Sequence, residues 1–297
     1  MSERKKIRAL HITPVIVATF LSGFFALVLE GSKILVDVET PFSTSSSLEA
    51  AVYNTTIFLI LVGFGSLLLF ILLKLKKLGL IKLLFLSSLA ISFLGIVEIY
   101  MIAFSVYYGR DILLSENLSL LIAAIASLAT VYVIATSRNE YLIAALMILY
   151  GSSAGSLFGV LLPIWTILAV AIALSVYDLY SVFKGPLKYL IELEKKSSKI
   201  SNERKTCGKD SLLKGVVVPF KGLYLGIGDV IFYSMISSAS LIKPEISMIR
   251  FLAVIFGVSI GAYITFKLVE KKGALPALPI PMLLSVILYI SFLLLEI

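Results

Sequence analysis

Cysteine and histidine are almost missing: Cys207 and His11 are the only ones in 297 residues. A single thiol closes no internal disulfide and builds no Cys-rich metal site. A single imidazole cannot make the two-histidine zinc pattern. Charge is scarce too, at 15% of residues, where soluble domains carry about 25%. Proline is absent from the middle of every long apolar run. All nine prolines lie at the ends of such runs or between them, as expected where the ring would break a helix.

What is present is apolar sequence, 59% of the chain with a mean hydropathy of +1.04. A helix crossing the hydrocarbon needs about 20 apolar residues. Nine runs qualify, at 11–29, 52–73, 80–108, 112–135, 140–161, 164–183, 217–240, 247–267 and 277–295. The predicted fold class is therefore all-α, a polytopic membrane protein with nine transmembrane helices. Met1–Arg8 puts basic residues ahead of the first run, but no clear small-residue cleavage site follows, so that run is read as a span. The external loop 30–51 is mildly acidic and rich in Ser and Thr. Residues 192–212 read as a flexible cytoplasmic loop. It divides the chain into helices one to six over 1–191 and helices seven to nine over 213–297.

Lysine and arginine in short loops set the orientation. Residues 1–10, 74–82, Arg138, 184–221 and 267–272 hold 22 of the 26 basic residues; the other side holds Lys33, Arg110, Lys243 and Arg250. The N-terminus is thus predicted to be cytoplasmic and the C-terminus extracytoplasmic, in the cell membrane. The net charge of +8 follows from this asymmetry and from anionic headgroups. No nucleic-acid partner is expected.

Three acids within the runs, away from their ends, are the candidates for burial in the membrane: Glu98, Asp178 and Asp229. Burying a charge there costs several kcal/mol by most scales. Glu98 is 16 residues beyond Lys82, about 24 Å along a helix, which puts it near the outer interface and within reach of water. Asp178 is six residues before Lys184 and Asp229 eight after Lys221, about 9 and 12 Å below the cytoplasmic boundary at about 1.5 Å per helical residue. Antiparallel neighbours would bring the two carboxyls face to face. Close carboxyls share one proton and titrate as a pair. Such a dyad takes a proton from water while giving one to a peptide carbonyl. The pair equally fits a proton- or cation-coupled transporter or channel, or helix–helix hydrogen bonds in a scaffold.

The neighbouring residues decide among these. Asp178 stands in Tyr177-Asp178-Leu179-Tyr180, followed by Lys184-Gly185-Pro186-Leu187. Asp229 stands in Gly226-Ile227-Gly228-Asp229, followed by Val230-Ile231-Phe232-Tyr233-Ser234, and Leu275-Pro276-Ala277-Leu278-Pro279 comes near the C-terminus. In this order, on spans six, seven and nine, they resemble the presenilin family of intramembrane aspartyl proteases, with its YD, GxGD and PAL motifs. Ile227 stands where presenilins usually carry Leu. Signal peptide peptidases share the motifs but place the loop between the catalytic spans on the opposite side, whereas the basic 184–221 loop and KGPL favour the presenilin branch. Prepilin-type peptidases share GxGD but not the PAL arrangement.

The resemblance implies a presenilin-like fold and an endopeptidase that hydrolyses peptide bonds within transmembrane segments. Asp178 and Asp229 would activate the water, one protonated and one ionised. Tyr177, Gly226 and Gly228 would support the site, and Pro276, Ala277 and Leu278 would shape the place for substrate. The partners implied are transmembrane proteins or peptides and membrane lipids, with no metal and no cofactor. Eukaryotic presenilins work in a multi-subunit complex after a cut in the loop between spans six and seven. That loop is far shorter here, so no obligate accessory subunit is expected, and the chain would act alone or as a homo-oligomer.

Each motif also has a physical reading. Gly226 and Gly228 remove side chains beside Asp229, which suits close backbone approach and equally suits plain helix packing. Tyr177 either hydrogen-bonds in the site or belongs to the interfacial aromatic belt. Pro276 and Pro279 keep Pro276-Ala277-Leu278 from being regular helix, and irregular backbone at membrane depth survives only where it lines a cavity or is buried in protein. Val216-Val217-Val218 favours strand. Val217 and Val218 are expected to pair with an unwound substrate by strand addition, as their counterpart in presenilins does; the alternative is the plain helical start of span seven.

Overall fold

The computed structural model describes residues 9–36, 38–75, 77–109, 116–183, 215–272 and 275–295. After a 3-10 turn at Ala9–Ile12 come six helices: α1 Thr13–Ser32, α2 Leu48–Lys74, α3 Leu78–Tyr107, α4 Glu116–Thr136, α5 Glu140–Leu161 and α6 Ile164–Phe183. A hairpin of β1 Val217–Phe220 and β2 Leu223–Gly226 follows, then α7 Ile227–Ile242, α8 Met248–Lys272 and α9 Pro279–Leu294. Among the described residues, seven helices are long and apolar enough to cross a membrane, and α7 and α9 are shorter apolar helices. The chain is an integral membrane protein of the expected all-α class. The expected flexible loop 192–212 and the KGPL residues lie outside the described residues.

Local chemistry accounts for several boundaries. The Ser47 hydroxyl accepts from the Ala50 N–H at 3.1 Å and starts α2. Asn139 Oδ1 caps α5, accepting from the Tyr141 and Leu142 N–H groups at 3.0 and 3.4 Å. Such caps satisfy amides that have no partner inside the helix. Pro14 sits in the first turn of α1, where its missing N–H costs nothing. One predicted span needs correction: residues 217–226 are not the start of helix seven but a hairpin, and the helix begins ten residues later, at Ile227. Helix eight also runs five residues past the expected end, to Lys272.

The centre of the bundle is α1, α5 and α7. Gly151, Gly155 and Gly159 recur every fourth residue of α5 and face α7. A Cβ on Gly155 would lie 2.4 Å from the Ile231 carbonyl oxygen, so the two backbones touch. Small residues at such crossings let helices approach closely where the lipid supplies no hydrophobic drive. α8 and α9 meet in the same way, with Gly261 against the Pro281 backbone. α2, α3 and α4 stand further out and turn Leu, Ile and Phe side chains such as Ile60, Phe64 and Leu128 to the lipid.

Polar residues tie the helices together at depth. Asn54 Nδ2 donates to the Ser43 carbonyl at 2.8 Å and to Thr166 Oγ1 at 3.0 Å, joining α2, α6 and the segment before α2. The Tyr100 hydroxyl donates to the Ser153 carbonyl at 3.0 Å and joins α3 to α5. At the end of the bundle where α7 finishes, Lys243 Nζ donates to the Val160 and Leu162 carbonyls, and Arg250 Nε donates to the Ser240 carbonyl at 2.9 Å. These two cations cap the closing turns of α5 and α7, where carbonyls have no partner inside the helix.

Candidate active site

The hairpin sets the approach to Asp229. Its two-residue turn, Lys221-Gly222, has φ of +49° and +79°. Positive φ at both central positions is the hairpin geometry that follows strand twist. β1 and β2 pair antiparallel with Val217 opposite Gly226 and Phe220 opposite Leu223. The Ile227 N–H donates to the Val216 carbonyl at 2.8 Å, so the pairing continues up to the helix. Val218 and Leu225 are buried in the core and anchor the hairpin. Gly226 keeps extended backbone, φ −60° and ψ 138°, and is the N-cap of α7.

Asp229 is therefore the third residue of α7. Its carboxyl folds back to accept from the Gly226 N–H, the same reach an acid makes in a capping box. A Cβ on Gly226 would lie 2.8 Å from Asp229 Oδ2. The absence of a side chain at Gly226 leaves room for the acid to lie against its own N-cap. Gly228 has a different surrounding: a Cβ there would meet only Phe232, at 3.9 Å.

Asp178 lies on α6, five residues before the helix ends at Phe183. Its Oδ2 accepts from the Leu278 N–H at 3.0 Å, and the Ala277 N–H also bonds the carboxyl. Pro276 to Leu278 are not helical, and α9 starts only at Pro279. Each acid thus sits at the N-terminus of a short helix, Asp229 in the first turn of α7 and Asp178 against the start of α9. Helix N-termini offer free N–H groups and a partial positive charge that suits a carboxylate.

The two carboxyls are within electrostatic reach of each other, and Tyr233 is within reach of both. Tyr233 is 1% exposed, and its hydroxyl donates to the Ala277 carbonyl at 2.7 Å. Asp178 and Asp229 are each half-buried rather than sealed in the core. A pair of carboxyls in a low-dielectric site can hold one proton between them and activate a water molecule. Among the described residues, no three His, Cys, Asp or Glu side chains come together where they could hold a metal ion.

The expected residues fall into three groups. Asp178, Asp229, Gly226, Ala277 and Leu278 converge on one spot, with Pro276 buried beside it. Tyr177 is half-buried next to Asp178 and makes no hydrogen bond to either carboxyl among the described residues. Val217 and Val218 are in a strand, but the strand pairs with this chain's own β2, and the Val218 side chain is fully buried. The depth expected for Asp229 needs correction, because residues 221–226 form a turn and a strand rather than helix. The acid meets Asp178 because the hairpin delivers it there. Glu98 stands half-buried within α3. The motif carries no expected role for Tyr233; its position one turn after Asp229 is the signal that points to it.

Comparison with known proteins gives consistent matches. Residues 194–295 match the family model described as Presenilin. Presenilin-B of Dictyostelium discoideum is 36% identical over 132 residues, which is 43% of this chain and 26% of that protein. The match thus spans about a quarter of the length of this curated relative. Among solved structures, a presenilin family intramembrane aspartate protease in a C222 crystal superposes with a TM-score of 0.63 at 18% identity, covering 97% of this chain and all of the other. The P2 crystal form gives a TM-score of 0.56 at 18% identity, covering 95% and 96%. At that identity the superposition shows the fold.

Proposed function

We propose, on the premise that this chain is a presenilin relative in the sequence of its last hundred residues and in its whole fold, that it is an intramembrane aspartyl endopeptidase. Its substrates are transmembrane segments of other membrane proteins. The observation that carries this reading is the convergence of Asp178 and Asp229, each at a helix N-terminus and each half-buried, beside non-helical backbone at 275–278. No observation favours the transporter reading.

The reaction follows from the pair. One carboxylate accepts a proton from water as the water oxygen attacks the scissile carbonyl carbon. The other carboxyl gives its proton to the carbonyl oxygen. When the tetrahedral diol collapses, the C–N bond breaks and the amine takes up the proton that the first carboxylate gained from water. A diol hydroxyl returns a proton to the second carboxylate, restoring the starting pair. A helical substrate must unwind first, since its amides are bonded internally. Gly228, with open space beside it, and the segment Pro276-Ala277-Leu278 receive the unwound stretch. Tyr177 supports the site from the lip of α6. Glycine at 226 lets Asp229 lie back, and a Cβ there would displace the carboxyl.

The hairpin supplies strand backbone for pairing. Because Ile227 bonds to Val216, Val217 occupies a pair whose backbone groups point away from β2. Val217→Pro therefore spares the hairpin's own bonds. Unchanged cleavage by that variant, normally folded, would count against pairing of substrate with Val217 and Val218. The site faces the cytoplasm, with the N-terminus inside and the C-terminus outside, following the basic asymmetry of the loops. The chain acts in the cell membrane without obligate accessory subunits, alone or as a homo-oligomer. The 192–212 loop joins the part carrying Asp178 to the part carrying Asp229.

The test is incubation of purified protein with a single-span substrate and mass spectrometry of the fragments. The parent should cut within the span. Asp178→Asn and Asp229→Asn should each abolish the fragments, and activity surviving both changes would remove the pair from the mechanism.

A further inference from the structure

One peptide unit joins the two helices that carry the acids. The carbonyl of the Ala277–Leu278 peptide accepts from the Tyr233 hydroxyl of α7 at 2.7 Å. The N–H of the same peptide donates to Asp178 Oδ2 of α6 at 3.0 Å. Hydrogen bonds in such a chain polarise one another, so fixing the carbonyl strengthens the donor on the other side of the amide. We infer that Tyr233 is a positioning residue: it holds the 277–278 peptide so that its N–H stays aimed at Asp178, and through it sets the spacing between the two acid-bearing helices. The inference rests on the protease reading for its catalytic consequence, though not for its geometry.

Three features single out Tyr233. It lies one helical turn after Asp229, on the same face of α7, so whatever moves α7 moves both groups together. It is buried, and a buried phenol is held where its hydroxyl finds a partner. Its proton is committed to Ala277, so the phenol does not serve as the acid that protonates substrate. The segment it holds has few alternatives. Prolines at 276 and 279 leave Ala277 and Leu278 with the only N–H groups from 276 to 279, and both point at Asp178. The Leu278 carbonyl accepts from the Met282 N–H at 3.0 Å and starts α9, so the Tyr233 bond orients the peptide immediately ahead of the helix.

Tyr289 provides a matched control. It is a second fully buried tyrosine, 0% exposed, on α9. Its hydroxyl donates at 2.8 Å to the Lys243 carbonyl, in the turn after α7 and away from the acids. Tyr233→Phe and Tyr289→Phe each delete one hydroxyl and one buried bond. Only the first touches the peptide that faces Asp178.

The experiment measures hydrogen–deuterium exchange of the Ala277 and Leu278 amides, together with kcat and KM on a single-span substrate, in the full-length protein and both variants. Tyr233→Phe should speed exchange at these two amides by about tenfold, the scale of one lost hydrogen bond. It should lower kcat by a similar factor with KM little changed. Tyr289→Phe should leave both unaltered. Unchanged exchange and kcat in Tyr233→Phe, or equal effects from the two variants, would overturn the inference. A parent that makes no fragments while Tyr233→Phe still frees the two amides would sink the protease reading and leave the latch standing.

Discussion

The packing of α5 on α7 makes the strongest quantitative demand on the sequence, and Gly155→Ala tests it. The added methyl would lie 2.4 Å from the Ile231 carbonyl oxygen, 2.5 Å from Ser234 Cβ and 2.9 Å from the Met235 nitrogen. Two of these atoms are backbone and cannot rotate away. Ordinary contact begins near 3.4 Å, so the helices must separate by about 1 Å, and overpacking of this kind costs about 1–3 kcal/mol. Ile231 is two residues after Asp229 on the same helix, so the shift passes to the acid. A displacement of about 1 Å at a reacting group costs about 100-fold in rate. Thermal unfolding in detergent and fragment yield from a single-span substrate would be measured side by side. The control is Gly63→Ala on α2, where a Cβ meets nothing within 4 Å. That variant should keep full activity and stability. A Gly155→Ala protein as stable and as active as the Gly63→Ala protein would refute the close-contact account of how α7 is positioned.

Other consequences are open to direct measurement. Arg250 is 2% exposed, donates to the Ser240 and Glu245 carbonyls, and lies over the Tyr289 ring; Arg250→Ala should cost about 2–4 kcal/mol of stability through orphaned carbonyls, read as a lowered unfolding midpoint. Asn54→Ala removes the bonds to Ser43 and Thr166, so residues 40–47 should become more sensitive to added protease while the helices persist. Burial pushes the Lys243 ammonium, in the turn after α7, from 10.5 down to about 8. The unfolded chain then binds the extra proton between those values, so stability should rise as pH climbs from about 8 to about 10.5, and the slope should vanish in Lys243→Met.

Much of this protein could be read from residue order alone. Hydropathy placed nine helices because backbone groups in lipid must be satisfied within the segment, which leaves helix as the only form for a 20-residue apolar run. The acids stood out because a carboxyl in such a run is costly, and their neighbours Tyr177, Gly226, Gly228 and Pro276 to Leu278 gave the family resemblance. Residues 217–226 depart from helix for a reason that hydropathy cannot register. Their apolar character satisfies a helix pattern, while the positive φ at Lys221 and Gly222 and the pairing of Val217 with Gly226 depend on a contact across the turn.

The one-dimensional pattern therefore determined which segments form the long apolar helices and which side chains are candidates for the chemistry, since both depend on local transfer cost. Tertiary structure alone decided how the acids are held. Asp178 is bonded by amides 99 and 100 residues away, and Tyr233 secures that same peptide from a third helix. Gly226 turned out to make room for its own neighbour's carboxylate rather than for another helix. Such pairings arise from packing between helices whose outer faces are equally apolar, so hydropathy carries no signal about which faces meet.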